Sequence, residues 1–316
     1  DSRIRNRNRL QNRNYIEAEN QFLVLSHFDQ NNDDYLSILG DIAKIQQQWN
    51  KSIDFFLDAY RINPQNFKVL ENAMQVCFTA ELFKKAEGVC KLLVQFEPNN
   101  NSYWLTYKQI TSYNKNYNIT LEAIAELERI NGRSIKLSLE KSAIMQELNK
   151  IDEAIKLLVE VHNPDSANIN IVERLVSMYL ETENFIDANI FNKILLNEFS
   201  DSPSGYINAA IISLNNDMPE KAIKYIEPVI DKYDNNYSAL YLLGTSFFQI
   251  KDLSNAEKYL KQSLKIYPQS RTSKHTLAMI YDQTGVWIKS DSLYFDLINS
   301  DSTDAQAYNN FAYSLV

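Results

Sequence analysis

Glycine, proline and cysteine are scarce in this chain of 316 residues, which contains six, seven and two of them. Few glycines and prolines leave little room for the tight turns that join β-strands, and stretches of alternating apolar and polar residues are rare as well. Segments such as DEAIKLLVEV and NAEKYLKQSLKI instead carry apolar residues at helical spacing. The sequence therefore predicts an all-α protein.

Several features of functional sites and membrane segments are missing too. No apolar run approaches the roughly 20 residues that a helix needs to cross a bilayer. No two glycines lie close together, which argues against a glycine-rich phosphate loop. The three histidines, His27, His162 and His275, are far apart, and none has a second His or Cys at metal-ligand spacing. We therefore expect no transmembrane segment in this chain, no cofactor, no metal site and no catalytic residues.

The opening segment is the only electropositive candidate in the chain. Five arginines and one aspartate give residues 1–13 a charge of +4, so the remainder carries −12 of the total of −8. An acidic body argues against nucleic-acid binding, which depends on clustered Lys and Arg. The arginines of this segment are Arg3, Arg5, Arg7, Arg9 and Arg13. They predict a solvated terminal cap, with a membrane-proximal segment facing anionic headgroups as the second interpretation.

The chain begins at Asp1 rather than Met, so we expect a processed, tagged-and-trimmed or truncated product, and the loss of an N-terminal targeting segment stays open. The composition leaves both the cytoplasm and the periplasm open as compartments, and it leaves the oligomeric state open as well.

A small residue recurs every 34 residues without insertion or deletion. These positions are Ala18, Ser52, Ala86, Thr120, Ala154, Ala188, Ala222, Ala256 and Ser290. Antiparallel helices approach closely only where a side chain is short, so the period predicts a repeated helix pair. Four residues later the same helix face carries an apolar residue in every repeat except at Asn192.

This pattern resembles the tetratricopeptide repeat (TPR) family over roughly residues 14–316. The resemblance is strongest in 33–66, DDYLSILGDIAKIQQQWNKSIDFFLDAYRINPQN, and in 237–270, YSALYLLGTSFFQIKDLSNAEKYLKQSLKIYPQS. It implies a right-handed superhelical solenoid of antiparallel helix pairs. We expect a single solenoid over 1–316, with an N-terminal capping unit at 1–32, eight units at 33–304 and a truncated half unit at 305–316. The capping unit should be a helix pair that ends near Gln30, with residues 1–13 as its first helix.

Two local departures from the repeat carry predictions of their own. The unit 135–168 has Ser138 and Lys141 at the usual core offsets, which predicts a distorted first helix. Pro228 lies inside a second helix and should bend it.

The resemblance also implies that the first helix of each unit faces a concave groove and contacts a bound peptide. In the C-terminal half the groove positions are apolar and aromatic: Ile207, Ile211, Leu214, Tyr241, Thr245, Phe248, His275 and Met279. In the N-terminal half they are polar: Asp41, Glu71, Gln75 and Gln109. We predict that the apolar half is the main partner-binding site and the polar half a secondary one.

Cys77 and Cys90 occupy facing core positions of one unit, so the sequence allows two buried thiols or a disulfide between them. The prediction for the whole chain is a non-enzymatic scaffold or adaptor that binds a peptide or protein segment in its groove. The alternative is a regulatory or targeting array of a larger enzyme or a membrane-associated assembly, whose remainder lies outside this chain.

Overall fold

In a computed structural model, the backbone is described for residues 2–314 and side chains for residues 14–313. This part of the chain forms eighteen α-helices and no strand, which confirms the all-α fold class. The helices are α1 Ser2–Phe28, α2 Asp33–Ile45, α3 Trp49–Ile62, α4 Lys68–Thr79, α5 Phe83–Phe96, α6 Asn101–Tyr113, α7 Tyr117–Asn131, α8 Ile135–Glu147, α9 Ile151–Val161, α10 Ile169–Glu181, α11 Phe185–Glu198, α12 Ser204–Asn215, α13 Pro219–Ile226, α14 Tyr237–Gln249, α15 Leu253–Ile266, α16 Arg271–Gln283, α17 Trp287–Ser300 and α18 Ala305–Ser314.

The chain divides into two compact units, Asp1–Lys150 and Ile151–Val316. Within each unit, consecutive helices pack as antiparallel pairs and each pair packs on the next. The single solenoid over 1–316 stays a prediction.

The small residues of the 34-residue period lie where paired helices meet. All of them from Ser52 to Ser290 are fully buried, and Ala18 is half-buried. Close approach is most evident at Gly40 of α2, where an added Cβ would lie 2.6 Å from the ring of Phe56 in α3. The Ser52 hydroxyl also donates to the Gly40 carbonyl at 2.7 Å. The short side chains therefore bring the helix backbones together, as the period predicts.

The turn between the two helices of a unit repeats with the same phase. A left-handed residue ends the first helix at Gln47, Glu81, Lys115, Asn149, Glu183, Asp217, Lys251 and Gly285. The next residue donates its N–H to the carbonyl five residues back, from Gln48 to Ala43 through to Val286 and Tyr281. This is the Schellman geometry that satisfies the last carbonyls of a helix.

The structure bears on three local predictions, at the N-terminus, in α8 and at Pro228. The helix pair expected at the N-terminus is one continuous helix, α1, and the side chains of its arginines lie outside the described residues. The prediction of a distorted α8 was wrong, since residues Ile135–Glu147 form an α-helix. Ser134 caps this helix, and the Lys141 ammonium pairs with the Glu128 carboxylate at 2.9 Å. Near Pro228 the second helix changes its geometry, since α13 ends at Ile226 and a 3-10 helix follows over Glu227–Tyr233; the bend itself stays a prediction.

Gly132 ends α7 with φ +80° and ψ 168°, a conformation open almost only to glycine. An added Cβ would meet no atom within 4 Å, so Gly132→Ala should lower the free energy of unfolding by about 1–3 kcal/mol through backbone strain alone. Gly88 is the matched control, because it is helical and its added Cβ also meets nothing. Gly88→Ala should raise the free energy of unfolding by about 0.5–1 kcal/mol. Urea unfolding of both variants checks the pair, and equal changes would contradict this explanation.

Candidate functional site

The predicted apolar site lies on three neighbouring first helices of the unit Ile151–Val316. Helix α12 contacts α14, and α14 contacts α16, so these helices form one continuous face. We call it the first-helix face, and it carries all eight of the predicted apolar-site positions.

Five of the predicted residues form an apolar strip that is only half covered. Ile207, Ile211, Leu214, Tyr241 and Phe248 are half-buried and pack against the unit's core cluster. The cluster beneath them includes Leu240, Leu243, Phe247 and Leu260. Their inner atoms are thus held by the core while the remainder stays available to a partner. This arrangement gives a preformed apolar surface, which needs little ordering on binding.

Tyr241 is held by a neighbour that the sequence reasoning missed. Its ring stacks on that of Tyr237, with centroids 6.0 Å apart and an interplanar angle of 8°. The Tyr237 hydroxyl shares a hydrogen bond of 2.5 Å with the Ser270 hydroxyl at the start of α16. Burial tends to raise the pKa of Tyr237, but hydrogen bonds from Ser270, Ser273 and Thr272 outweigh it and lower the pKa. The spacing of one helical turn between the two tyrosines was the available signal.

The remaining predicted residues of α14 and α16 lie next to the apolar strip. The Lys251 ammonium lies 5.5 Å from the centre of the Phe248 ring, a cation–π distance. The buried Thr245 Oγ1 has no hydrogen-bond partner among the described residues. Met279 of α16 is half-buried. Thr245 and Met279 belong to the first-helix face because they lie on α14 and α16.

His275 does not present its side chain to the open face. It is buried, and its Nε2 lies 2.9 Å from the carboxylate of Asp304. Asp304 also pairs with Arg271 at 2.7 Å and accepts from the N–H of Ala307 at 3.0 Å, which caps α18. The helix α18 and its capping carboxylate therefore cover His275, and contact of this residue with a partner remains a prediction.

The hydrogen bonds that the Asp304 carboxylate accepts make its pKa unusually low. Burial raises its pKa, but the hydrogen bonds from Ala307, Arg271 and His275 outweigh burial and lower the pKa from 3.8 to about 2. The carboxylate is thus charged at neutral pH and holds α18 against α16. Its role was hidden in the sequence because Asp304 and His275 are 29 residues apart.

The secondary polar positions lie in the other unit, Asp1–Lys150, and two of them pair with neighbouring helices. The Tyr103 hydroxyl donates to Glu71 at 2.8 Å, and Lys44 donates to Gln75 at 2.6 Å. Asp41 and Gln109 are exposed. Gln109 lines a cavity of about 490 Å³ between α6 and α8. Glu71 and Gln75 therefore cross-link adjacent helices, which is a structural role.

Other predicted features have plain outcomes. Cys77 and Cys90 are buried free thiols, and burial raises their pKa values to about 11 and about 12. In the described part of the chain, no group of three or more His, Cys, Asp or Glu residues is placed to hold a metal ion. Between residues 2 and 314, none of the helices is both long and apolar enough for a membrane span.

Comparisons with known proteins agree with the repeat. Residues 238–270 match the family profile described as tetratricopeptide repeat. The crystal structure of the APC/C hetero-tetramer Cut9-Hcn1 matches with a TM-score of 0.57 and 12% identity, over 94% of this chain and 58% of that chain. A tetratricopeptide repeat protein from Parabacteroides merdae matches with a TM-score of 0.56 and 12% identity, over 80% of this chain and 100% of that chain.

Among curated proteins, human Protein O-mannosyl-transferase TMTC3 is 25% identical over 221 residues. The aligned region is 66% of this chain and only 23% of that protein. Residues 238–270 therefore match the tetratricopeptide repeat family, and the helix pairs and the solved structures show that the chain has the fold of tetratricopeptide repeat proteins.

Proposed function

We propose that this chain is a non-enzymatic scaffold that binds a peptide or protein segment on its first-helix face. The observation that carries the proposal is the half-covered apolar strip on α12 and α14. Its members are Ile207, Ile211, Leu214, Tyr241 and Phe248.

The chemistry of the strip favours an apolar or aromatic segment as the ligand. Branched aliphatic and aromatic side chains recognise groups of the same kind by excluding water from both. Each strip residue is anchored on the core, so a partner would meet a rigid surface rather than mobile side chains. The Lys251 ammonium beside Phe248 would add attraction for a carboxylate at one end of the segment.

The polar positions of the N-terminal unit are less suited to binding a partner than the apolar strip. Glu71 and Gln75 already form hydrogen bonds with Tyr103 and Lys44, so a ligand there would have to displace existing partners. The strip on α12 and α14 requires no such exchange. We therefore place the main site on the C-terminal unit.

The proposal is tested by adding charge to the strip of the full chain. Ile211→Asp with Phe248→Asp should abolish partner capture in a pull-down from extract of the source cells, because each carboxylate would need to be desolvated on binding. Both residues are half-buried, so the variant needs a folding control. Asn215→Asp with Gln249→Asp adds the same charges to α12 and α14 at exposed positions and should leave capture unchanged.

Far-UV circular dichroism and the thermal midpoint of each variant separate lost binding from lost folding. If the strip variant remains folded and still captures its partner, the first-helix face is not the site. If the exposed control loses capture equally, general negative charge rather than the strip explains the result.

A second candidate function rests on the relative among curated proteins. The aligned relative is named an O-mannosyl-transferase, and this chain spans 23% of it. By analogy, we also consider a regulatory or targeting array of a larger enzyme or membrane-associated assembly. An antibody against this chain tests the idea, because the natural protein should then migrate far above 36.7 kDa on an immunoblot. A natural protein that migrates at about 36.7 kDa would rule out this second candidate function.

A further inference from the structure

The outward side of α11 carries two isoleucines where other units are mostly polar. Ile186 is 78% exposed and Ile190 is 53% exposed. At the phase of Ile186 the other second helices carry Asn50, Lys84, Asn118, Asp152, Glu220, Ser254 and Ile288. At the phase of Ile190 they carry Asp54, Gly88, Glu122, Lys156, Lys224, Lys258 and Ser292. The repeat itself thus defines these as solvent positions, and α11 departs from it at both.

These isoleucines line one side of a groove rather than standing alone. The groove runs between α11 and α13 and encloses about 480 Å³. Met218, which is 48% exposed, and Tyr225 lie on its other side, and buried Ile212 of α12 lies at its base. We call this the second-helix groove. Several large apolar side chains around one cleft mark an interaction surface more strongly than scattered exposed residues do.

The groove is positively charged in a chain whose net charge is −8. Lys193 and Lys221 are exposed residues of its lining, and no Asp or Glu lies among the residues that line it. Within residues 14–313, neither lysine has an ion-pair partner. Two free ammonium groups beside an apolar cleft would attract a ligand that carries both carboxylates and apolar side chains.

We propose that the second-helix groove binds a short acidic segment of a partner protein. One or two aliphatic or aromatic side chains of the segment lie between Ile186, Ile190 and Met218, and flanking Asp or Glu carboxylates pair with Lys193 and Lys221. The cleft has room for a few side chains, which fits a linear segment rather than a broad protein surface. This site is separate from the first-helix face and does not depend on it.

The test uses the full chain as the target of a random short-peptide phage library. The counter-target is Ile186→Asn with Ile190→Glu, which copies the pair Asn118 and Glu122 found at the same phases in α7. Because both positions are exposed, this variant should fold normally. Ile288→Asn is the matched control, since it removes an 86% exposed isoleucine at the same phase of α17.

Enriched peptides should be net acidic with apolar residues between the acids. A fluorescein-labelled copy should lose about ten-fold or more in affinity for the α11 variant and keep its affinity for Ile288→Asn. Lys193→Gln with Lys221→Gln should weaken binding and flatten its salt dependence. Enrichment of neutral or basic peptides, equal binding to the α11 variant, or no enrichment at all would overturn the proposal. Binding to anionic lipid vesicles that Ile186→Asn with Ile190→Glu abolishes, without peptide binding, would also overturn it and assign the groove to a membrane surface.

Discussion

Phe56→Ala should lower the free energy of unfolding of this protein by about 3–5 kcal/mol, because it removes a fully buried ring and leaves a cavity. The ring fills the space between α2 and α3, where Gly40 allows close contact. Phe55 is the matched control, since it neighbours Phe56 on α3 but is only half-buried. Phe55→Ala should lower the free energy of unfolding clearly less than Phe56→Ala does. Urea unfolding followed by far-UV circular dichroism measures both variants.

A double-mutant cycle isolates the contact itself. An added Cβ at Gly40 would lie 2.6–2.9 Å from three atoms of the Phe56 ring, so Gly40→Ala should cost about 1–3 kcal/mol by overpacking. In the Phe56→Ala background that clash is gone, and the second substitution should cost much less. Strictly additive costs would show that the two residues do not contact one another.

Asp304→Ala should destabilise the last helix of the array, with a loss of about 3 kcal/mol in the free energy that holds α18 in place. The substitution removes the cap of α18 and the partner of the His275 Nε2. Since the buried His275 Nδ1 already lacks a partner among the described residues, the whole imidazole would be left unsatisfied. Hydrogen–deuterium exchange of residues 305–314 measures the opening of α18. Unchanged exchange there would contradict the role given to Asp304.

The pH dependence of α18 provides an independent check. The pKa of Asp304 is lowered to about 2 in the folded protein, against an ordinary value of 3.8. A group with a depressed folded pKa stabilises the fold above its unfolded pKa, and that contribution is lost as the pH falls through the folded value. The protection of the α18 amides, taken as their exchange rate relative to the intrinsic rate at the same pH, should therefore fall between about pH 4 and pH 2. Asp304→Asn, which keeps a capping oxygen, should remove most of this acid sensitivity.

Much of the fold could be predicted because equivalent residues recur every 34 positions along the chain. The buried small residues at Ser52 and Ala86 have a direct steric cause, so their 34-residue spacing reveals the helix pairs. The left-handed turn residues were not predicted, although they keep the same phase. Only Gly285 is a glycine, while Gln47 and Lys251 adopt positive φ under the constraint of the packed helices around them.

The candidate site could be predicted only in part. The positions of Ile211 and Phe248 on one face follow from helical geometry and the repeat. The burial of His275 does not, because it depends on how α18 docks against α16 and on the carboxylate of Asp304, 29 residues away. The continuous helix α1 was missed for a related reason. The 34-residue phase predicts that a first helix spans residues 1–13, but the phase alone does not force the chain to turn after it.

The most direct test of the central claim is hydrogen–deuterium exchange of the full chain with and without the partner captured in the pull-down. Binding on the first-helix face should slow exchange mainly in α12, α14 and α16, with the strongest protection around Ile211, Tyr241 and Phe248. Little change should occur in α2, α4 and α6. Protection confined to those N-terminal helices, with none in α12 or α14, would contradict the account.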